Sequence, residues 1–319
     1  MNITTGKLLE GLPFYVHPLF LSLLETNYET YLVGGIPRDI LLNRKPLDID
    51  LAVRINLHPI EKLIESIYKI HKKTETPFLT VNYILENNGI INIAHLRKER
   101  YLSPAQLPIT EATYSIEEDA KRRDFTINSI YIDIHKRRFI DPLNGIQDLK
   151  KRLLRITYEG SFRDDPTRIF RGIRYKTRLN LTYTEDTLRE IKTGKGYIKL
   201  LTKQRIINEL KKIAEERKRL KMIEELSRFS ILNMNIENQI TRTLRRLDRV
   251  LPYIKTSWVF LFYPFFKDEM LNFPLTRKEK QAIYLIMDRP VKKSAIKGLK
   301  MQYPFIEDYL QVLKDGRKI

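Results

Sequence analysis

One stretch constrains the fold of this chain more than any other: Tyr31-Leu-Val-Gly34-Gly35-Ile-Pro-Arg38-Asp39-Ile-Leu-Leu-Asn-Arg-Lys-Pro-Leu-Asp48-Ile-Asp50-Leu-Ala-Val53. Two short apolar runs, Tyr31–Val33 and Leu51–Val53, flank a glycine turn and a short amphipathic segment, a pattern that predicts strand, turn, helix, strand. Pro37 suits the first turn of that helix, where a missing N–H costs nothing. Alternate side chains of a strand share a face, so Asp48 and Asp50 point one way while Ile49 points into the core. Two neighbouring carboxylates repel unless a cation lies between them, and Mg²⁺ takes one or two carboxylates together with phosphate oxygens. The glycines would let backbone N–H groups approach a triphosphate, and Arg38 adds positive charge at the helix start. The competing reading is a plain turn followed by an exposed strand edge. The order of glycines, arginine and paired aspartates favours the site.

The rest of the chain places that segment inside a mixed α/β head. From about residue 28 to 145, β-like and helical patterns alternate. Thr80–Leu85 and Ile90–Leu96 bracket Asn87-Asn88-Gly89, a hairpin signal. Asp124–Ile134 and Arg138–Asp141 read as further strand material. After Asp141-Pro-Leu-Asn-Gly145 the patterns become helical, with breaks expected at Gly194–Gly196, around Asn233–Asn235, and near the prolines at 252, 264, 274, 290 and 304. The division expected is a head over 1–145, a helical neck over 146–215 and a helical body or tail over 216–319.

Charge then narrows the partner. Among 319 residues, 58 Lys and Arg face 39 Asp and Glu, a net charge of +19. Such an excess points to a polyanion, with a membrane surface as the alternative. An apolar content of 42% excludes general disorder. The absence of cysteine excludes disulfides, thiolate metal sites and cysteine nucleophiles, and the five histidines show no ligand spacing. The N-terminus lacks a signal-peptide core. Trp258–Phe266, the most apolar stretch, is too short to span a bilayer and contains Pro264, so it is expected to pack inside the C-terminal part. A soluble, cytoplasmic protein is expected.

Helical periodicity also separates an apolar from a basic face. At 100° per residue, Ile240, Leu244, Leu247, Leu251 and Ile254 fall in a stripe about 80° wide. Arg242, Arg245, Arg246 and Arg249 lie opposite, and that arginine row favours phosphate contact over an ordinary solvated face.

Two more segments carry chemistry. Glu117-Glu-Asp-Ala-Lys-Arg122-Arg123-Asp124-Phe125-Thr126-Ile127-Asn128-Ser129 puts a double arginine between an acidic helix end and a strand. Alone, it reads as a surface ion pair. In Phe162-Arg-Asp164-Asp165-Pro-Thr-Arg168-Ile-Phe-Arg171-Gly-Ile-Arg174-Tyr, Pro166 at a helix start makes Asp165 a natural N-cap, with Arg168 as an ion-pair partner.

In this order, and joined by Asp141–Asp148 and by Gln204-Arg205-Ile-Ile-Asn-Glu209-Leu210, these segments resemble the class II nucleotidyltransferases of the polymerase β-like superfamily. More narrowly, the resemblance is to bacterial-type tRNA nucleotidyltransferases, the CCA-adding enzymes and poly(A) polymerases, and it runs from about Tyr31 to Leu210. It implies a polymerase β-like α/β head, an all-α neck and tail, and Mg²⁺ held by the catalytic Asp48 and Asp50. It implies nucleotide contacts from Gly34, Gly35, Arg38, Arg123, Asp124, Asn128, Asp165, Arg168, Arg171 and Arg174. It implies CTP, ATP and the tRNA 3′ end as partners; the arginine row Arg242, Arg245, Arg246 and Arg249, read from periodicity, lies beyond the resemblance and is the candidate RNA contact. The base chemistry agrees. Cytosine and adenine both offer an amino donor beside a ring-nitrogen acceptor, which a carboxylate and an arginine can read.

Three positions depart from the family pattern. Asn92 stands where relatives commonly carry an acid, Asn43 lies near a usual glycine, and Asp164 replaces a usual Glu. The helical part is also shorter than in most relatives, which implies a smaller grip on RNA or reliance on a partner. The alternatives within reach are a poly(A) polymerase and a catalytically weakened RNA-binding relative.

Overall fold

The structure, a computed structural model, describes residues 1–317 apart from 47, 55 and 235–237. Its strands are β1 (Thr30–Leu32), β2 (Ile49–Val53), β3 (Ile70–Thr76), β4 (Thr80–Leu85), β5 (Ile90–His95), β6 (Arg97–Arg100), β7 (Ile109–Ala112), β8 (Tyr131–Asp133), β9 (Arg138–Ile140), β10 (Leu153–Leu154) and β11 (Thr182–Tyr183). Seven of them form one sheet in the order β3-β4-β5-β2-β1-β8-β9, in which β2 and β5 run parallel and the other neighbours antiparallel. A parallel pair needs a long crossover, and the helix His58–Ile67 with the β3–β4 hairpin supplies it.

Strand alternation sorts the two faces of this sheet. Ile49, Leu51, Val81, Tyr83, Leu85, Ile91 and Ile93 turn to one side and pack with Leu19, Phe20 and Leu23 of the helix His17–Leu24 and with Ile60 and Ile64. Each such side chain contributes roughly 1.5–3 kcal/mol when fully buried. The opposite face carries Asp50, Asn82 and Asn92, each half-buried, together with a smaller cluster built on Tyr31, Val33, Ala52 and Tyr131. Strand, glycine turn, helix Gly35–Leu41 and strand follow one another as expected. The 87–89 hairpin forms too, with β4 and β5 paired antiparallel.

Asp124–Ile134 departs from the expected strand. Only Tyr131–Asp133 forms a strand of the sheet, and Thr126–Asn128 forms a single 3-10 turn. The Asp124 carboxylate folds the chain there by accepting from the Phe125 N–H and the Asn128 amide, both at 2.9 Å.

The described residues form two compact units, one of Met1–Asp164 with Leu181–Glu190 and one of Asp165–Asn180 with Ile191–Ile319. The expected boundary at 145 lies inside the first unit. There β10 pairs with β11, Phe125 bridges Ile156, and the Glu190 carboxylate accepts from Gly160 N–H at 2.8 Å. Gly145 also ties this region to the head, because a Cβ on it would come 2.1 Å from the Thr126 carbonyl oxygen.

The second unit is helical, as expected for the chain beyond the head. Its arginine-bearing helix covers Asn238–Val250, with Leu244 and Leu247 buried, and Leu251 buried just beyond its end. Ile254 does not join that stripe; it is 45% exposed and lies past the helix end. Pro252 disfavours helical backbone at Leu251, so the periodicity stops there. Pro264, expected as a break, sits inside the helix Trp258–Phe266. Seven of the nine side chains of that helix are buried, and this packing outweighs the roughly 3 kcal/mol that an interior proline costs. Phe260 meets Tyr303, Phe305 and Tyr309 edge-on, each at 5.0 Å. No helix among the described residues is long and apolar enough to cross a membrane.

Candidate active site

The glycine turn and β2 build the core of the site. Ile49 is fully buried, so the flanking Asp48 and Asp50 face away from the core; Asp48 is exposed and Asp50 half-buried. Gly34 has φ +68°, a conformation that side chains rarely adopt, and a Cβ there would come 2.9 Å from Asp50 Oδ2. Glycine at 34 thus satisfies the backbone and makes room for the carboxylate. The Asn92 amide donates to Asp50 Oδ1 at 2.9 Å across the β2–β5 pair.

From the same turn a polar chain runs into the head. Arg38 is buried, with its guanidinium forked onto Asp39 (Nε to Oδ1 2.9 Å, Nη2 to Oδ2 3.0 Å). Its Nη1 donates to Asn128 Oδ1 at 2.6 Å, and the Asn128 amide donates to Asp124 Oδ1. Gly35 lies against the Arg38 guanidinium, since a Cβ there would come 3.0 Å from Nη2. The structure therefore joins Gly35, Arg38, Asn128 and Asp124 in one network, with Asp39 as a member that the sequence did not single out.

Arg122 and Arg123 are not a surface pair. Both bind the buried Asp119, which also accepts from the Tyr131 hydroxyl at 2.5 Å, and the Arg123 guanidinium lies over the Tyr131 ring at 5.0 Å. Burial pushes the Asp119 carboxyl up, but Arg123 and Arg122 outweigh it and hold it well below the usual carboxylate range. The signal for Asp119 was its place in the acidic helix end, one turn before Arg123. Tyr15 gave no such signal. Its hydroxyl donates to the Ile90 carbonyl at 3.1 Å, and burial, with the Asp48 and Asp50 charges added, pushes the phenol above the usual tyrosine value.

In the second unit, the helix Thr167–Leu179 starts one residue later than expected. Asp165 still serves that helix start: its Oδ1 accepts from Thr167 N–H at 3.0 Å and Thr167 Oγ1 at 2.6 Å. Its ion pair is with Arg205, whose Nη2 lies 2.7 Å from the same oxygen. Arg168 is buried on the first turn, and Arg171 donates to the Tyr175 hydroxyl at 3.1 Å. Arg174 reaches Glu209 and Glu216, both at 3.4 Å. Arg242, Arg245, Arg246 and Arg249 are all exposed on their helix.

The donor chemistry suits a hard divalent ion. Among the described residues no group of three or more acidic or histidine side chains gathers at one point. Asp48 and Asp50 would offer two carboxylates, which fits the few protein ligands that Mg²⁺ uses when phosphates and water complete its shell. The Gly34 backbone leaves the space beside Asp50 that a larger residue would fill.

Residues 30–155 match the poly A polymerase head domain. An A-adding tRNA nucleotidyltransferase of Geobacter sulfurreducens is 31% identical over 246 residues, which are 75% of this chain and 28% of that protein. An A-adding tRNA nucleotidyltransferase of Aquifex aeolicus is 32% identical over 212 residues, 65% of this chain and 26% of that protein. The chain thus spans about a quarter of the length of these curated relatives. A solved CCA-adding enzyme, in its apo form II, matches with a TM-score of 0.75 at 27% identity, covering 97% of this chain and 81% of that one. The family model thus covers the head region of the chain, and the fold of a solved CCA-adding enzyme is followed along nearly its whole length.

Proposed function

We propose that this chain is a Mg²⁺-dependent, template-independent nucleotidyltransferase of the cytoplasm that adds CMP, AMP or both to the 3′ end of tRNA. The observation that supports it most is Asp50 lying beside the Gly34 turn with the Asn92 amide on its other oxygen, and Asp48 two residues before it. Asp48 and Asp50 would hold the metal, which when bound supplies charge neutralisation for phosphoryl transfer. Gly34 and Gly35 leave the backbone open to phosphate oxygens, and Arg38, fixed by Asp39 and Asn128, holds its charge in place without waiting for substrate. Arg123 and Asp124 carry the ribose and phosphate contacts of this reading. The reaction is attack of the RNA 3′-hydroxyl on the α-phosphate with departure of pyrophosphate.

Base choice is assigned to Asp165 and Arg168, with Arg171 and Arg174 on the same helix. Thr167 and Arg205 meet the Asp165 carboxylate at Oδ1, and in this reading Oδ2 accepts from the amino group of cytosine or adenine. Guanine and uracil present the opposite polarity at that edge and would leave a charged group unpaired. Arg242, Arg245, Arg246 and Arg249 are assigned to tRNA phosphates.

The test is incubation with tRNAs ending before CC, before A and after CCA, supplying CTP and ATP separately. Addition of one to three nucleotides that stops at CCA is expected, and it should vanish in Asp48→Ala and Asp50→Ala while tRNA binding persists. Long runs of A on the CCA end would make the chain a poly(A) polymerase. Binding without addition to any substrate would make it an RNA-binding relative. Asp48→Ala activity within tenfold of the parent would sink the metal assignment.

A further inference from the structure

Beside the paired aspartates the sheet presents an amide. Asn92 lies on β5 directly across from Asp50 on the parallel β2, and its side chain is half-buried on the same open face. An ionised carboxylate only accepts, so the Asn92 side chain must offer its NH₂ to Asp50 Oδ1, and it does so at 2.9 Å. The other oxygen, Oδ2, faces Gly34, where even one added carbon would come within 2.9 Å. One oxygen of the carboxylate is thus met by a donor, while the other lies beside the space that glycine at 34 leaves open.

The amide is itself well anchored. Its sequence neighbours Ile91 and Ile93 are fully buried in the head core, and β5 is paired on both edges, by β2 and by β4. Removing the Asn92 side chain therefore leaves the register of the strand untouched.

We infer that Asn92 is a positioning residue for Asp50, holding that carboxylate in the orientation that receives a divalent cation. The inference rests on the reading of Asp48 and Asp50 as a metal seat. A neutral donor here does what a third carboxylate cannot: it fixes Asp50 without adding to the repulsion between Asp48 and Asp50 while no cation is present. Groups that orient metal ligands typically change affinity by about 10–100-fold when removed.

The experiment is Mn²⁺ binding to the 319-residue chain, followed by loss of the free-ion electron paramagnetic resonance signal, with thermal unfolding in metal-free buffer beside it. Asn92→Ala is expected to bind Mn²⁺ about tenfold more weakly, with little change in metal-free melting. Asn92→Asp faces Asp50 with a second negative charge. It is expected to melt below the parent without metal and to regain the difference when Mn²⁺ is added, a response that a purely structural asparagine would not give. Loss of Mn²⁺ binding in Asp50→Ala, together with parent-like binding in Asn92→Ala and parent-like melting in Asn92→Asp, would overturn the positioning role and leave the metal seat standing. Parent-like binding in Asp48→Ala and Asp50→Ala would overturn both.

Discussion

Asp165 has two chemical jobs available to it, and its two oxygens separate them. Oδ1 serves the protein, taking Thr167 and Arg205. If capping were all, Asp165→Asn would be mild, because Asn caps about as well as Asp. If Oδ2 reads the base amino group, the amide is a poor replacement, since it loses the full charge and, flipped, presents a donor. Selectivity for CTP and ATP over UTP and GTP should then fall by roughly 1–3 kcal/mol, and Arg168→Ala should lose a similar amount. The measurement is kcat/KM for all four nucleotides on one tRNA; preserved discrimination in Asp165→Asn returns the residue to its capping role. Asp119 makes a different, pH-dependent statement. Its carboxyl is held below its ordinary value of 3.8 in the fold, so the unfolded chain binds the proton more readily. The resulting stability is fully present above about pH 4 and is lost as pH falls through the folded value. Asp119→Asn should therefore destabilise the protein most at neutral pH, with the gap to the parent narrowing under acid. Urea midpoints measured from pH 7 down to pH 3 test it, and a constant gap would refute it.

Between residue and fold stand the element ends, where Arg219 has an unusual load. It is fully buried, pairs with Asp248 at 2.6 Å, stacks on Tyr253 at 4.1 Å and donates to the carbonyls of Ala214, Leu251 and Pro252. The Ala214 carbonyl ends the helix Lys203–Ala214, and those of Leu251 and Pro252 lie just past the helix Asn238–Val250, where helical partners run out. Arg219→Ala should cost roughly 3–5 kcal/mol, the range for breaking a buried pair, read as a lowered midpoint in urea with an unchanged slope. Arg219→Lys should recover only part, because one ammonium cannot reach so many acceptors. Nothing local in the sequence announced Arg219, since its acceptors lie up to 33 residues away. The elements that were legible have local causes: β1 and β2 are short apolar runs, β4 and β5 alternate against the core, and the glycine turn has its own chemistry. β3 was not, because Ile70–Thr76 is an edge strand exposed along most of its length and carries no apolar alternation. For the same reason the site residues were legible as types and spacings, but their partners were not. The Arg38 to Asn128 bond spans 90 residues, and the pairing of Asn92 with Asp50 depends on a parallel crossover that no spacing rule supplies.

At the scale of the whole molecule, the net charge of +19 bears on encounter with a polyanion rather than on the fold. Much of the positive charge is already engaged: Arg38, Arg123, Arg174 and Arg219 each meet carboxylates inside their own unit. Arg242, Arg245, Arg246 and Arg249 are exposed instead, on a helix whose other face is fixed by buried Leu244 and Leu247. Replacing Arg242, Arg245 and Arg249 together with Ala should leave folding intact, because surface changes away from packed or capping groups are usually small. If each of the three meets a tRNA phosphate, each releases counterions, and the slope of log affinity against log salt should flatten by roughly 0.7–0.9 per lost contact. The triple variant should therefore bind more weakly at low salt and approach the parent as salt rises. It should lose affinity about equally for tRNAs of different sequence, since phosphates carry no base identity. Filter binding of one tRNA from about 50 to 200 mM salt is the measurement. A parent-like slope would mean that this arginine face is solvated and that the polyanion is gripped elsewhere, which would turn attention to the basic residues outside this helix.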